Sequence, residues 1–539
     1  MIYRAEEWVK SIHSEMDGLN DQGVFSHNHT LDDIRNKHGI TSKPIPCSVA
    51  LTHKLKQDEN GSSVSSRLKT RICIAGHRGN VTKGVHYHDV FAAAPVQHTE
   101  RLLQSLRVNL HLFNLAWDVK MAYTWAPLPP GDRVAVRYSD GWSVKKCRQD
   151  PCLFVIDKVI DPRKSSTREY ENGENLTEPP LYHDLEQIVP ANCHRSWVLI
   201  HTDDCDCYGT SLDVLHEIND IMNEEWTTEI VDPSYILGVR RVLDTSDPKG
   251  WVITCTMPSF IEDLATVFRP DLDEAHGKRT VGTPFPEGLI LTKSTTPEEG
   301  EVDRNIAKGY QRLVGSLLWC VRHVSPICAY GCSQLCKLMS CPTDLAWKCA
   351  LRMLQYMLQH KDEGIQFHEA DMTLLPLAYV DASNKDGPHD GKTQYGYTIN
   401  WGGPVITKSG KLAHVGINST YNEYMALHYA IKHIVWLRQF MDEMGLGSIV
   451  GKPTLVYADN KQATNLCHED LVTSGNMYFR TSYHYNKEEV EDGTVAIRYT
   501  HTSTNYSDAT TKGLGPIKIR QFKPVLHGHE LPNPLLRKC

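Results

Sequence analysis

From Leu374 to Gly515 one arrangement recurs: a short apolar run ends in an acid, and a turn or helix follows. LLPLAYVDAS reads as a strand closing on Asp381, QYGYTINWGGPVITKSGKL as a hairpin around Gly402-Gly403, and STYNEYMALHYAIKHIVWLRQF as a long helix. The helix has apolar residues mostly three to four apart, at Tyr424, Leu427, Ile431, Ile434 and Val435, so one face must pack on a sheet. PTLVYADNKQA adds a strand and a helix, and VAIRYTHTSTNYSDATTKGL a strand, a loop and a short helix. Strand, hairpin, helix, strand, helix and strand make a mixed α/β domain.

Four acids mark its junctions: Asp381, Glu423, Asp459 and Asp508. Each has a local explanation. Thr420-x-x-Glu423 fits a capping box, Asp459-x-x-Gln462 a looser one, and Asp508 favours a helix N-terminus. Taken together, four acids converging on one sheet edge repel unless cations bridge them. Two Mg²⁺ ions about 4 Å apart suit in-line phosphodiester cleavage. A second acidic site stands in SWVLIHTDDCDCYGTS, where a buried-type strand from Trp197 to Ile200 runs straight into Asp203 and Asp204. Adjacent carboxylates belong to a solvated turn or to a divalent metal.

At 539 residues the chain exceeds one ordinary core, which implies three or four domains. Its 40% hydrophobic and 23% charged residues are those of a globular protein. Leu313 to Val321 is too short to span a membrane, and the charged start MIYRAEEWVKSIHSEMDG has no secretory apolar core. The 16 cysteines are scattered, as in a reducing compartment; Cys332 and Cys336, four apart in YGCSQLCKLM, fit core packing better than zinc. The net charge of −8 argues against a general polyanion-coating protein. It is uneven, however. Between Lys54 and His88, Lys54, Lys56, Arg67, Lys69, Arg71, Arg78 and Lys83 face only Asp58 and Glu59, a patch that could meet phosphates or form a solvated face.

YVDAS, STYNEYMAL, YADNKQA and NYSDATTKGL resemble the ribonuclease H domain of copia-type retrotransposon polyproteins. Upstream, EEWVKSIHSEMDGLNDQGVF, RLKTRICIAGH, GVHYHDVFAAAPV, WDVKMAY, DPCLFVI, HTDDCDCYG, DPSYILGV, GYQRLVGSLLW and SQLCKLMSCPTDLAW resemble, in order, its reverse transcriptase and connection. The resemblance implies an α+β fold: fingers and palm around an antiparallel sheet, a helical thumb/connection, and a ribonuclease H-like mixed domain. It places fingers and the start of the palm in 1–110, palm in 111–260, thumb/connection in 261–370, ribonuclease H in 371–515 and a tail in 516–539.

By position it makes Asp118 and Asp203 polymerase metal ligands with Asp204 supporting, Tyr123 the screen at the sugar 2′ position, and Lys69 and Arg71 the grip on the incoming triphosphate. Asp381, Glu423, Asp459 and Asp508 become the ribonuclease H acids. The implied cofactors are two Mg²⁺ per site, with Mn²⁺ as a substitute. The implied partners are RNA template, DNA primer, RNA–DNA hybrid, dNTPs and other polyprotein products, without a membrane. The implied location is a cytoplasmic virus-like particle or the nucleus.

The sequence also departs from the family. Only SVKKCRQ joins Gly141-Trp142 to Asp150-Pro151, where family members carry a tyrosine-glycine-leucine-lysine-glutamine segment and a helix under the template. That implies a truncated palm and impaired DNA synthesis beside an intact ribonuclease H segment. Without a CCHC knuckle, protease motif or integrase zinc site, the chain is expected to be the C-terminal portion of a polyprotein or the product of a decayed element. The rival expectations are a non-catalytic relic that at most binds nucleic acid, and a domesticated nuclease.

Overall fold

The computed structural model describes residues 10–14, 16–17, 47–57, 63–74, 95–119, 141–160, 188–190, 192–246, 250–277, 279–292, 304–370, 376–383, 391–416, 418–448, 453–468 and 480–532. Contacts divide the chain into two compact units, residues 1–93 with 120–135, and residues 94–119 with 136–539. The boundaries read from sequence near 260, 370 and 515 thus fall inside the second unit.

In the first unit, β1 (Cys47–Gln57) and β2 (Ser63–Ile74) form an antiparallel hairpin whose register sets Lys69 opposite Thr52 and Arg71 opposite Ala50. The opening helix expected from Glu6 is described only at 10–14 and 16–17. Tyr123 and the polar insert from Pro162 to Pro180 lie outside the described residues.

The second unit opens with α1 (Gln97–Leu110) and β3 (Phe113–Val119), followed by β4 (Trp142–Lys146), β5 (Leu153–Val159), β6 (Cys193–His201), β7 (Asp204–Gly209), α2 (Leu212–Glu225) and β8 (Thr228–Val231). Their six-stranded sheet runs β4-β5-β6-β7-β3-β8 and is antiparallel throughout. The short SVKKCRQ segment does not leave a break in it. Trp142–Lys146 becomes the edge strand, and the amides of Arg148 and Gln149 donate to Glu443 Oε2 at 2.8 and 3.1 Å.

Next come β9 (Tyr235–Ile236), β10 (Val239–Asp244) and β11 (Val252–Thr256), then the helices α3 (Pro258–Val267), α4 (Arg269–Ala275), α5 (Arg304–His323), α6 (Ala329–Cys336) and α7 (Asp344–Gln359), and β12 (Ile365–His368). These helices lie in the stretch expected to be the thumb/connection, and their strands form a small sheet ordered β12-β11-β10-β9. Cys328 and Cys332 are buried in its core.

The last part contains β13 (Leu377–Ala382), β14 (Gln394–Asn400), β15 (Pro404–Lys411), α8 (Ser419–Glu443), β16 (Thr454–Ala458), α9 (Lys461–Leu466), α10 (Arg480–Glu491), β17 (Val495–Tyr499), α11 (Asp508–Thr511) and α12 (Pro516–Leu526). Its sheet is ordered β15-β14-β13-β16-β17; the hairpin side is antiparallel, and β13, β16 and β17 run parallel. That is the mixed sheet read from the sequence. The expected tail instead begins with α12, whose Ile519, Phe522, Val525 and Leu526 are buried. Proline at its first turn costs no hydrogen bond, and apolar residues three to four apart give it a core-facing side. Backbone bonds from Gln366 N to His527 O (2.8 Å) and from His368 N to Gly402 O (2.7 Å) tie this domain to β12.

Burial keeps several histidines of this unit neutral. It holds His98 at about 3 and His323 at about 4, and His527 well below the usual range. An unfolded chain takes up these protons near pH 6.5 while the folded one resists. Stability is therefore full above that pH and falls as pH drops toward 4, by up to about 1.4 kcal/mol per histidine per pH unit. The melting temperature should drop steeply between pH 7 and pH 5; a flat profile would contradict neutral burial of these rings.

Candidate metal centre

Strand register brings the first two acids together. Parallel β13 and β16 pair Val380 with Ala458 at their last matched positions, so Asp381 and Asp459 emerge side by side at one sheet edge. Asp508 arrives from the far end of the chain. Asn505 Nδ2 donates to Val380 O at 2.9 Å, fixing the turn that leads into α11. The helix then lies on β14 at Gly396, where any side-chain carbon would overlap Thr510. Oxygens of Asp381, Asp459 and Asp508 all fall within 4.8 Å of one another.

Glu423 joins them from α8, its Oε2 accepting the Ala382 amide at 3.1 Å. The local capping explanations do not hold. Asn418 caps α8 through Tyr421 N (2.7 Å), Asn460 caps α9 through Ala463 N (2.9 Å), and Thr420 donates to Gln462 instead. Glu423 and Asp459 are thus not spent on helix ends.

The electrostatics are those of an anion cluster held out of water. Asp381 is 2% exposed and Asp508 fully buried. Burial, with Asp508 and Asp459 nearby, raises Asp381 to about 7 against the opposing pull of Lys512 and Thr511. Burial and then Asp381 and Asp459 push Glu423 well above the usual carboxylate range. Such a cluster needs a cation. Lys512 supplies one, its Nζ lying 2.7 Å from Asp508 Oδ1 and 3.8 Å from Asp381 Oδ2, and Lys518 Nζ lies 3.2 Å from Asp508 Oδ2. Thr511 Oγ1 donates to Asp381 and fixes its carboxylate. An all-oxygen donor set already drawing an ammonium inward fits a hard divalent cation.

The sequence reading missed Lys512, although its position four residues after Asp508 is the spacing of a helical ion pair. It also missed one wall of the cleft. The cavity over the acids, about 820 Å³, is lined on one side by Glu287, Gly288 and Ile290, which lie between α4 and α5. Gly288 N donates to Gly513 O at 3.0 Å, and a side chain at Gly513 would collide with Pro286 O. No local pattern in TPFPEGLI announces that contact.

The acids expected at a polymerase site are arranged differently. Asp118 on β3 is opposite Asp204 on β7 and Glu229 on β8, while Asp203 occupies the turn and its carbonyl accepts the Val119 amide at 2.8 Å. Thr202 turns the hairpin with φ +63°. Opposed residues share a face with Cβ atoms about 5 Å apart, which makes Glu229 a neighbour that sequence spacing gave no reason to consider. Among the described residues, no set of three acid, histidine or cysteine ligands within 4.8 Å forms around Asp118.

Over 531 residues, 97% of this chain, the sequence is 23% identical to the Retrovirus-related Pol polyprotein from transposon TNT 1-94 of Nicotiana tabacum. Over 488 residues it is 25% identical to the corresponding polyprotein from transposon RE2 of Arabidopsis thaliana. The chain is thus similar over most of its length to retrovirus-related Pol polyproteins of plant transposons. It spans 38% and 31% of the length of these two relatives. No protein-family model matches it. Among solved structures, the match to the foamy viral protease-reverse transcriptase in complex with dsDNA covers 88% of this chain and 81% of that one, at 13% identity and a TM-score of 0.35. The described elements form an α+β fold with antiparallel and mixed sheets. No helix among the described residues is long and apolar enough to cross a membrane.

Proposed function

We propose that this chain is the reverse transcriptase/ribonuclease H segment of a retroelement Pol polyprotein and that its retained activity is hydrolysis of RNA in RNA–DNA hybrids. The convergence of Asp381, Asp459 and Asp508 within 4.8 Å, with Glu423 beside them, carries this reading. These four carboxylates would hold two Mg²⁺, or Mn²⁺, which when bound supply an activated water and charge stabilisation at the departing 3′-oxygen. Asp381, central and anchored by Thr511, orients the set; Glu423 is held by the Ala382 amide. Lys512, paired with Asp508 and near Asp381, offsets part of the acids' charge and would compete with a bound cation for them. The test is cleavage of a labelled RNA strand in a hybrid by the purified chain with Mg²⁺. Cleavage that is abolished by EDTA and restored by Mg²⁺ supports the reading, and its absence returns the chain to the relic.

Replacing Lys512 by methionine should separate these roles. The ammonium is 40% exposed, so its loss in EDTA costs only about 1 kcal/mol after allowing for solvent screening. Mg²⁺ should then raise the melting temperature more in the variant than in the parent, since a competing cation has gone. Equal increments in both would remove Lys512 from the site.

For DNA synthesis, Asp118 and Asp203 remain the proposed metal ligands with Asp204 beside them, Lys69 and Arg71 the triphosphate contacts and Tyr123 the sugar screen. With only SVKKCRQ between Trp142 and Asp150, the floor beneath template and nucleotide would be reduced. Positioning supplies most of this chemistry. Primer extension on RNA is expected to be at the limit of detection with either Mg²⁺ or Mn²⁺, and robust extension would reverse that reading.

A further inference from the structure

A second cavity, about 540 Å³, lies where the start of α1 meets β14, β15 and α8. Its volume is within the roughly 300–1,000 Å³ of sites for small ligands. Its walls are aromatic. Tyr395 stacks on Tyr429 with centroids 4.6 Å apart and planes at 13°, and His98 meets Trp436 edge-on at 6.2 Å. The exposed Lys408 and Lys432 line it too, neither in an ion pair among the described residues, and no carboxylate is part of the lining. Burial first, then Arg101, holds His98 neutral, so its ring adds a flat aromatic surface rather than a third charge. His98 Nδ1 is buried without a hydrogen-bond partner.

Core packing accounts for the stacked tyrosines but not for two lysines without acids beside an open aromatic cavity. Aromatic faces for bases joined to ammonium groups for phosphates are the elements of single-strand binding. We propose that this cavity binds one unpaired nucleotide of a single-stranded nucleic acid, its base among Tyr429, Trp436 and His98 and its flanking phosphates at Lys408 and Lys432. Along α8, Tyr429 and Trp436 stand six and thirteen residues beyond Glu423, about 9 and 20 Å at helical rise. The site is thus separate from the acid cluster. The inference goes beyond the cleavage reading and does not depend on it, because no residue of the cavity belongs to that cluster.

The test uses the full chain and a single-stranded 12-nucleotide oligouridylate carrying one 4-thiouridine. Photocrosslinks should map to the peptides containing Tyr429 or Trp436. In fluorescence anisotropy, the double variant Lys408→Ala/Lys432→Ala should bind about tenfold more weakly at 0.1 M salt, and its slope of log affinity against log salt should flatten by about 1.4, two phosphate contacts' worth. Tyr429→Leu should weaken binding while keeping the parent slope, because it removes a ring and no charge. Hybrid cleavage should be unchanged in both variants. Crosslinks confined to other segments, parent-like affinity in both variants, or displacement of the oligonucleotide by polyglutamate at equal charge concentration would each overturn the proposal, the last by assigning the cavity to an acidic peptide.

Discussion

Asp381→Asn should lower hybrid cleavage by at least about 10²–10³-fold, the scale on which enzymes lose rate when one charge-stabilising group is removed from a reacting phosphate or carbonyl. The substitution changes a charge and almost nothing else. Asparagine has the size of aspartate and can keep the bond from Thr511, but it cannot hold two cations together. No neighbouring acid replaces it, because Glu423 comes from α8 and already accepts the Ala382 amide. Stability should move the other way. Asp381 is buried beside other carboxylates, so its neutral replacement should melt at or above the parent temperature in EDTA. Hybrid binding should persist, since it rests on contacts to phosphates and 2′-hydroxyls. The assay is RNA-strand cleavage alongside thermal melting on one preparation. An inactive variant that melts well below the parent would indicate a folding residue. One that cleaves at the parent rate, with contaminating nuclease excluded, would end the metal-centre assignment.

Arg241→Met should cost about 3–5 kcal/mol, the range found when one member of a buried charge network is removed. Arg241 sits on β10 with its side chain 1% exposed, its Nη1 2.6 Å from Asp206 Oδ2 on β7 and its Nη2 2.6 Å from Glu100 Oε1 on α1. Tyr208 completes the network by donating to Asp206 at 2.6 Å. Burial pushes Glu100 upward, yet the guanidinium beside it holds the group below its ordinary value. Methionine fills the space but removes the cation that directly pairs both Asp206 and the largely buried Glu100. Arg241→Lys should recover only part of the loss, because an ammonium cannot reach both acids as a planar fork does. Chemical denaturation with a midpoint close to the parent's would show that the network contributes little. A large shift, partly relieved by adding Glu100→Gln, would confirm that the unpaired charge is the cause.

The sequence by itself determined the elements of the C-terminal domain and the residues that stand at their ends. Alternation and helical spacing are local properties, and a short apolar run such as LAYVDA, rich in strand-forming residues, reads as a strand, here buried on both faces. Asp381 and Asp459 were legible because each ends such a run. Their nearness was not, since it depends on β13 and β16 pairing in parallel over more than seventy intervening residues. Asp508 required more still: a turn pinned to Val380, and a glycine at 396 that lets α11 lie close.

Other features came from tertiary structure alone. Capping motifs at Thr420 and Asp459 were plausible in sequence, but Asn418 and Asn460 took those bonds and left the acids for the cluster. The helix from Pro516 read as tail because so short a segment gains its stability from the core it covers, and no local pattern describes that core. Glu287, Glu229 and Arg241 acquire their surroundings from strands and loops far away in the chain. Periodicity decides which residues a segment turns inward. Which distant charges then meet is decided by register and packing, because only there does desolvation force each buried charge to find its partner.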